Sequence, residues 1–351
     1  MEQITEKSLY VGIDVHKRQW SVSIFTAVLH HKTFSQPPEP SSLHSYIDKF
    51  FKDYRVVCAY EACKFGFWIY RELTSFGYEC LVVNPADIPT TNKETSEKTD
   101  PVDSRKIARA LQGGLLRGIY VPDEFTLGHR QLFRYRKKLW VDLVRVKNRI
   151  KDKLLFNGLK IPQEHDNPYW SKAFLKWLVK VEFKSTHTRA TLDHLLEHYA
   201  MIYRHFLKVS IEVRALHKLP RYKEDAKRLR QIPGIGPLTS VLLLIEIEDI
   251  SRFKNFKHFN GYLGLKPMVH SSGDKDRKGY MTYRSNHALR SSLVECAWTS
   301  VQRDPVMLSC YEDLLTRHTK KRAIVKIARK LASRIYRVLK EKEDYDLGVV
   351  Q

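Results

Sequence analysis

The chain has 351 residues, with 61 Lys and Arg against 39 Asp and Glu and a formal net charge of +22. That length predicts at least two domains, and the cationic excess favours a polyanion, nucleic acid first, through counterion release. The longest apolar run, 241–245, is cut short by Glu246 and Glu248 and the start 1–7 is polar and acidic, which excludes a membrane span and a signal peptide and leaves a cytoplasmic protein as the expectation.

Alternating Val, Ile and Tyr at 8–15 and again at 20–28 predict a hairpin across the short turn 16–19, and 29–34 offers a third strand. After a Pro-rich stretch at 36–40 the pattern reads helix 42–51, strand 55–60, helix 65–76 and strand 79–84. This succession belongs to a mixed α/β sheet. Residues 85–99 are polar without an apolar period and predict a loop, and 103–111 predicts a helix capped by Asp103. From 130 to 155, Leu132, Leu139, Leu143, Val146, Ile150 and Leu154 recur at helical spacing among Arg and Lys. A second stretch, 188–216, carries Leu192, Leu195, Tyr199, Ile202 and Phe206 on one face. The two predict a helical hairpin or coiled-coil connector that pairs protomers; the plainer alternative is an intramolecular pair with a solvated charged face. From 223 the chain is globular again and ends in a basic amphipathic helix, 317–339, so the expected domains are 1–125, 126–222 and 223–351. Five cysteines, an odd number without C-x-x-C spacing, predict reduced thiols rather than disulfides or a zinc site.

Four carboxylates stand out by position. Asp14 ends the first strand in VGIDVHK, Glu61 ends a later strand in VVCAYEA, and Asp100 and Asp103 open a helix in KTDPVDSRKIA, where Pro101 suits a first turn. If the first and fourth strands are neighbours, these acids meet at one sheet edge. Such a cluster repels itself unless a hard divalent cation intervenes. Two ions about 4 Å apart would activate a nucleophile and stabilise the leaving oxygen of a phosphodiester. Each acid alone is an ordinary surface residue, and Asp103 alone is a helix cap.

The combination and its order resemble the RNase H-like fold of RuvC-type nucleases, in particular the DEDD transposases of insertion sequences. The match is to the insertion sequence one-ten family, which includes the Piv invertases and the bridge-RNA-guided recombinases. The resemblance carries Asp14, Glu61, Asp100 and Asp103 into the family's D, E, D, D pattern and continues through KNRIKDKLLFNGLKIP at 147–162 into the C-terminal region. It implies a RuvC-like catalytic domain with magnesium, two ions per site, held by those four residues. It also implies cutting and rejoining of double-stranded DNA at element ends, a noncoding guide RNA, a homodimer or homotetramer, and action at the bacterial nucleoid. His16 and Lys17 follow the first Asp as phosphate-facing or structural residues.

The run IPGIGPLTS, 232–240, looks like a helix-hairpin-helix turn in a mainly α domain. Gly234 and Gly236 would let the backbone approach a phosphate while the next helix aims its amides at the anion, or would make an ordinary tight turn. Next comes GLKPMVHSSGDKDRKGYMTYRSNHALR, 264–290, a polar, basic segment in which Lys275, Arg277, Lys278, Arg284 and Arg290 would surround a phosphate. The residues alone read Ser271 and Ser272 as loop serines. The resemblance implies that the serine of the S-G step becomes linked to a DNA end; Ser272, before Gly273, matches it, with Ser271 as competitor. Metal held by the carboxylates would activate that hydroxyl, giving a composite site, with the two domains drawn from different protomers. Ser285 stands where the family's Lys-x-Gly-Asn form has glycine. Phe133, Tyr135, Trp140, Tyr169 and Trp170, set among basic residues, would stack on bases or fill the core. The competing readings are a RuvC-like structure-specific endonuclease using water, a metal-free basic scaffold, and an actin-like phosphotransferase suggested by GIDVHK but lacking a second Gly-rich phosphate loop.

Overall fold

A computed structural model of the chain describes residues 7–90, 99–165, 170–272, 275–281 and 285–347, with the backbone alone over 267–280. The chain divides into two compact units, Met1–Pro122 and Asp123–Gln351.

In the first unit, β1 (Ser8–Val15), β2 (Trp20–Thr26) and β3 (His30–Gln36) form an antiparallel meander. Helix α1 (Pro40–Phe51), β4 (Arg55–Glu61), α2 (Trp68–Ser75) and β5 (Glu79–Val83) follow, and β4 pairs in parallel with both β1 and β5. The sheet order is β3-β2-β1-β4-β5. The first and fourth strands are therefore neighbours, and the mixed sheet is consistent with an RNase H-like domain. Side chains alternate across the sheet with period two. Leu9, Val11, Ile13 and Val15 of β1, with Val56, Cys58 and Tyr60 of β4, pack against Leu43, Ile47, Ile69 and Leu73 of α1 and α2. The intervening residues turn to the other face, where Val57 and Ala59 meet Ile107, Ala110 and Leu111 of α3 (Asp100–Gln112). By the same alternation Gly12, Asp14 and Glu61 belong to the α3 face.

The start of α3 corrects the sequence reading. Asp103 does not cap the helix: Thr99 does, and its carbonyl accepts the Asp103 amide at 3.0 Å. Pro101, which needs no amide partner in a first turn, lets the helix begin a turn earlier.

The second unit is helical: α4 (Glu124–Phe156), α5 (Lys172–Lys180), α6 (Thr186–Ala215), α7 (Pro220–Gln231), α8 (Pro237–Ile247) and α9 (Phe256–Leu263) precede a hairpin of β6 (Pro267–Ser272) and β7 (Lys275–Met281). Helices α10 (His287–Arg303), α11 (Pro305–Leu315) and α12 (Lys320–Glu341) complete it. Leu143, Val146 and Ile150 of α4 and Leu192, Tyr199 and Ile202 of α6 share one apolar core with Leu243, Leu293 and Leu331. The long helices thus pack within the chain and into the body that follows them. The Trp170 ring lies tilted against Tyr199 at 4.9 Å with the Lys147 ammonium over it, whereas Tyr169 lies outside the described residues. All five cysteines are free, and among the described residues no helix is long and apolar enough to cross a membrane.

One buried acid organises the base of the hairpin. Glu246, at the end of α8 and 4% exposed, accepts from Arg134 at 3.1 Å and from the Asn286 side chain at 2.8 Å. Its carbonyl accepts from the Tyr262 hydroxyl at 2.9 Å, and the Tyr262 carbonyl accepts the Asn286 amide at 3.0 Å. Burying a carboxylate is costly unless cations and donors surround it, as they do here.

At the head of α4, Asp123 accepts the Thr126 amide at 2.7 Å and pairs with Arg221, whose guanidinium holds the Asp123 carboxyl well below the usual range. Asp123→Ala is expected to lower the unfolding free energy by about 1–2 kcal/mol in urea denaturation near neutral pH, the ordinary worth of such a cap. A depressed carboxyl stabilises the fold above its unfolded value, about 3.9, and loses that contribution as pH falls through the folded one, so the two proteins should converge in acid.

Candidate functional site

The parallel register sets Ile13 opposite Tyr60, so Asp14 and Glu61 come next in line at the same end of β1 and β4. Helix α3 lies close against this face because Gly12 has no side chain: a Cβ there would sit 2.2 Å from the Ser104 carbonyl oxygen and 2.4 Å from the Ala108 nitrogen. The fully buried Ser104 hydroxyl also meets those of Ser21 at 3.0 Å and Ser23 at 2.9 Å. Near its C-terminal end, the Gln112 side chain donates to the Thr26 carbonyl at 2.8 Å. These contacts aim the first turn of α3, and with it Asp100 and Asp103, at the end of β1. Carboxylates in a first helical turn also suit the positive end of the helix dipole.

The ligand atoms of Asp14, His16 and Asp100 all lie within 4.8 Å of one another. His16 Nε2 is 3.1 Å from Asp14 Oδ2 and 3.5 Å from Asp100 Oδ1. Burial pushes the Asp14 carboxyl above its ordinary value; His16 pulls it down, while the charges of Asp100 and Asp103 push it further up. Asp103 is buried, and its Oδ1 is 2.8 Å from Lys106 Nζ. Glu61, half-buried, completes the end of β4 but stands outside the tightest group.

A carboxylate raised by burial and then by two acidic neighbours is relieved by a positive charge, and oxygen donors with one imidazole suit a divalent cation. The donor set therefore fits a metal, with Asp14, His16 and Asp100 innermost and Glu61 and Asp103 beside them. His16, read from the sequence as phosphate-facing or structural, stands here among the donor atoms. The signal was its spacing: two residues beyond Asp14, it shares the strand-end face of that acid.

In the second unit, Ile232–Gly236 forms a turn between α7 and α8. Gly234 has φ +94°, and its open side faces α10: a Cβ would lie 2.4 Å from the Cys296 carbonyl oxygen. Close helix packing accounts for that glycine. Gly236 caps α8, and a Cβ there would meet nothing within 4 Å. Ser271 and Ser272 end β6, opposite Asp276 and Lys275, so the expected polar loop is a hairpin with Ser272 beside its turn. Arg277 and Lys278 stand on β7 opposite His270 and Val269. The side chains of Ser271, Ser272, Lys275, Arg277 and Lys278, and all of Gly273 and Arg284, lie outside the described residues. Arg290, in the first turn of α10, donates to His287 Nδ1 at 2.7 Å.

Comparison with known proteins matches both units. Residues 11–156 match a family described as transposase of the DEDD, IS110 type, and residues 226–312 match the transposase IS116/IS110/IS902 family. A transposase candidate of Sinorhizobium fredii, y4qE, is 30% identical over 246 residues, which cover 70% of this chain and 58% of that protein. The transposase for insertion sequence element IS1533 of Leptospira borgpetersenii is 26% identical over 302 residues, 84% of this chain and 85% of the relative. A pilin gene-inverting protein of Moraxella bovis is 33% identical over 130 residues, 36% of this chain and 40% of the relative. With its acidic strand ends and its C-terminal segment each falling inside one of these matches, the chain belongs to the transposase family of the IS110 type.

Proposed function

We propose that the protein is the DNA transposase of a bacterial insertion sequence, cutting and rejoining strands of double-stranded DNA through a covalent serine–DNA intermediate. The observation that carries the reading is the convergence of Asp14, His16 and Asp100 at one sheet edge in a chain of net charge +22. A divalent cation, magnesium in our reading and two ions when the site is fully loaded, would be held by Asp14, Glu61, Asp100 and Asp103 with His16 beside them, and would polarise the scissile phosphate. The protein's own groups do the rest. Helix α3 holds Asp100 against Asp14, and Lys106 Nζ, 2.8 Å from Asp103 Oδ1, orients that carboxylate.

Ser272 is the proposed nucleophile. Its Oγ–P bond forms as the P–O bond to a deoxyribose oxygen breaks, the serine hydroxyl proton passing by way of a base to that departing oxygen, and rejoining reverses the exchange without an outside energy source. The family resemblance supports this serine, as it supports a noncoding guide RNA, a homo-oligomer, and action in the cytoplasm at the nucleoid. Basic side chains around the hairpin, Lys275, Arg277, Lys278, Arg284 and Arg290, would neutralise the phosphate, and Gly236 would let backbone approach another.

The test is a labelled element end incubated with purified protein and its co-purifying RNA, then denatured. The wild type is expected to leave a protein–DNA adduct and Ser272→Ala none. An equal adduct in both would remove the serine, and cleavage without any adduct would favour an endonuclease that uses water, for which the acidic site alone suffices.

A further inference from the structure

The helix that leads into the glycine turn carries a groove of about 650 Å³ lined by His217, Lys218, Lys223, Lys227, Arg230 and Gln231. No carboxylate lines it, and among the described residues none pairs with Lys218, Lys223, Lys227 or Arg230. Of the two acids in this stretch, Asp225 is engaged elsewhere, with Arg228 at 3.1 Å and Lys342 at 2.6 Å, and the exposed Glu224 does not line the groove. At 3.6 residues per turn, Lys223, Lys227 and Arg230 fall within about 60° of arc. They spread over about 10 Å of helix axis, the length of about three phosphates on one strand of a duplex at about 3.4 Å each.

Helix propensity does not explain the arrangement. Cations are favoured near a helix C-terminus, which suits Arg230, but Lys223 is the fourth residue of α7 and Lys218 precedes its start, where the dipole opposes them. Mutual repulsion in a concave site adds to that cost and is relieved by a polyanion.

We propose that this groove is a binding site for the phosphate backbone of double-stranded DNA, independent of base sequence and separate from the acidic centre. The inference rests on the chain acting on DNA. Duplex is the occupant because a straight row of cations on one helix face matches a regular row of phosphates.

The test uses the full chain, a fluorescein-labelled duplex and a single-stranded RNA of equal length, with affinity followed from about 50 to 200 mM salt. The triple variant Lys223→Gln, Lys227→Gln, Arg230→Gln should reduce the slope of log affinity against log salt by about 2–3 for duplex. A control of equal charge, Lys172→Gln, Lys176→Gln, Lys180→Gln on α5, should leave the slope near wild type. These side chains are exposed, so both variants should keep the wild-type melting temperature. An unchanged slope in the first variant, equal losses in both, or a loss confined to RNA would overturn the groove alone. A wild type that binds no duplex would overturn the transposase reading with it.

Discussion

Asp14→Asn is expected to lower strand cleavage on the order of 10³-fold while leaving duplex binding intact. A cation contributes several kcal/mol of charge stabilisation, and each 1.36 kcal/mol is worth about tenfold. Asp14 shares the tightest donor group with His16 and Asp100, and removing its charge removes most of the reason for a cation to bind. Stability should move the opposite way without metal. Burial raises this carboxyl, and Asp100 and Asp103 oppose its ionisation, so a neutral amide relieves repulsion at neutral pH. Melting curves separate the two effects. Magnesium should raise the wild-type midpoint by mass action and leave Asp14→Asn where it was, and EDTA should stop wild-type cleavage. Cleavage by the variant at the wild-type rate, or undiminished joining in EDTA, would refute the metal role.

Gly12→Ala should be nearly as damaging without touching a charge. The added Cβ would meet backbone atoms of Ser104 and Ala108, which cannot rotate away as a side chain can, so α3 must shift as a body. Overpacking of this kind costs about 1–3 kcal/mol. The larger effect is on chemistry, because the helix carries Asp100 away from Asp14 and a displacement of about 1 Å is worth on the order of 10²-fold. The expected result is a lower melting midpoint that magnesium no longer raises. Gly128→Ala, at an exposed position in α4 where a Cβ meets nothing within 4 Å, is the control and should be neutral or slightly stabilising. Wild-type cleavage by Gly12→Ala would show that the seat of α3 does not govern the site.

Much of the first unit was legible because its signals are local. Alternating Val and Ile marked β1 and β2, a short continuous apolar run marked β4, and the end of a strand identifies an acid that faces the sheet edge. Proximity of Asp14 to Asp100 was inferable only through topology, since it depends on a parallel β1–β4 pair and a helix returning across them. Gly12 passed unnoticed because a glycine in a strand shows nothing of what lies over it. His16 was read as phosphate-facing or structural, since its spacing from Asp14 says which side it shares but not that Asp100 arrives beside it. The cap at Thr99 was missed because Asp103 is the better capping residue, and the backbone start was decided by Pro101 instead. In the second unit, periodicity revealed both long helices but not their partners. An apolar stripe predicts that something covers it, and here α4 and α6 cover each other and continue into the body. The pairing of β6 with β7 was obscured by the charge of the segment, which hides the strand period.

Tyr262 and Asn286 stand on either side of the hairpin segment, and their backbones are joined by one hydrogen bond under the buried Glu246. A segment whose two feet are stitched together exports no change of its own length to the scaffold beneath it. The junction of α8, α9 and α10 is thereby closed on itself, whatever the two strands above it carry.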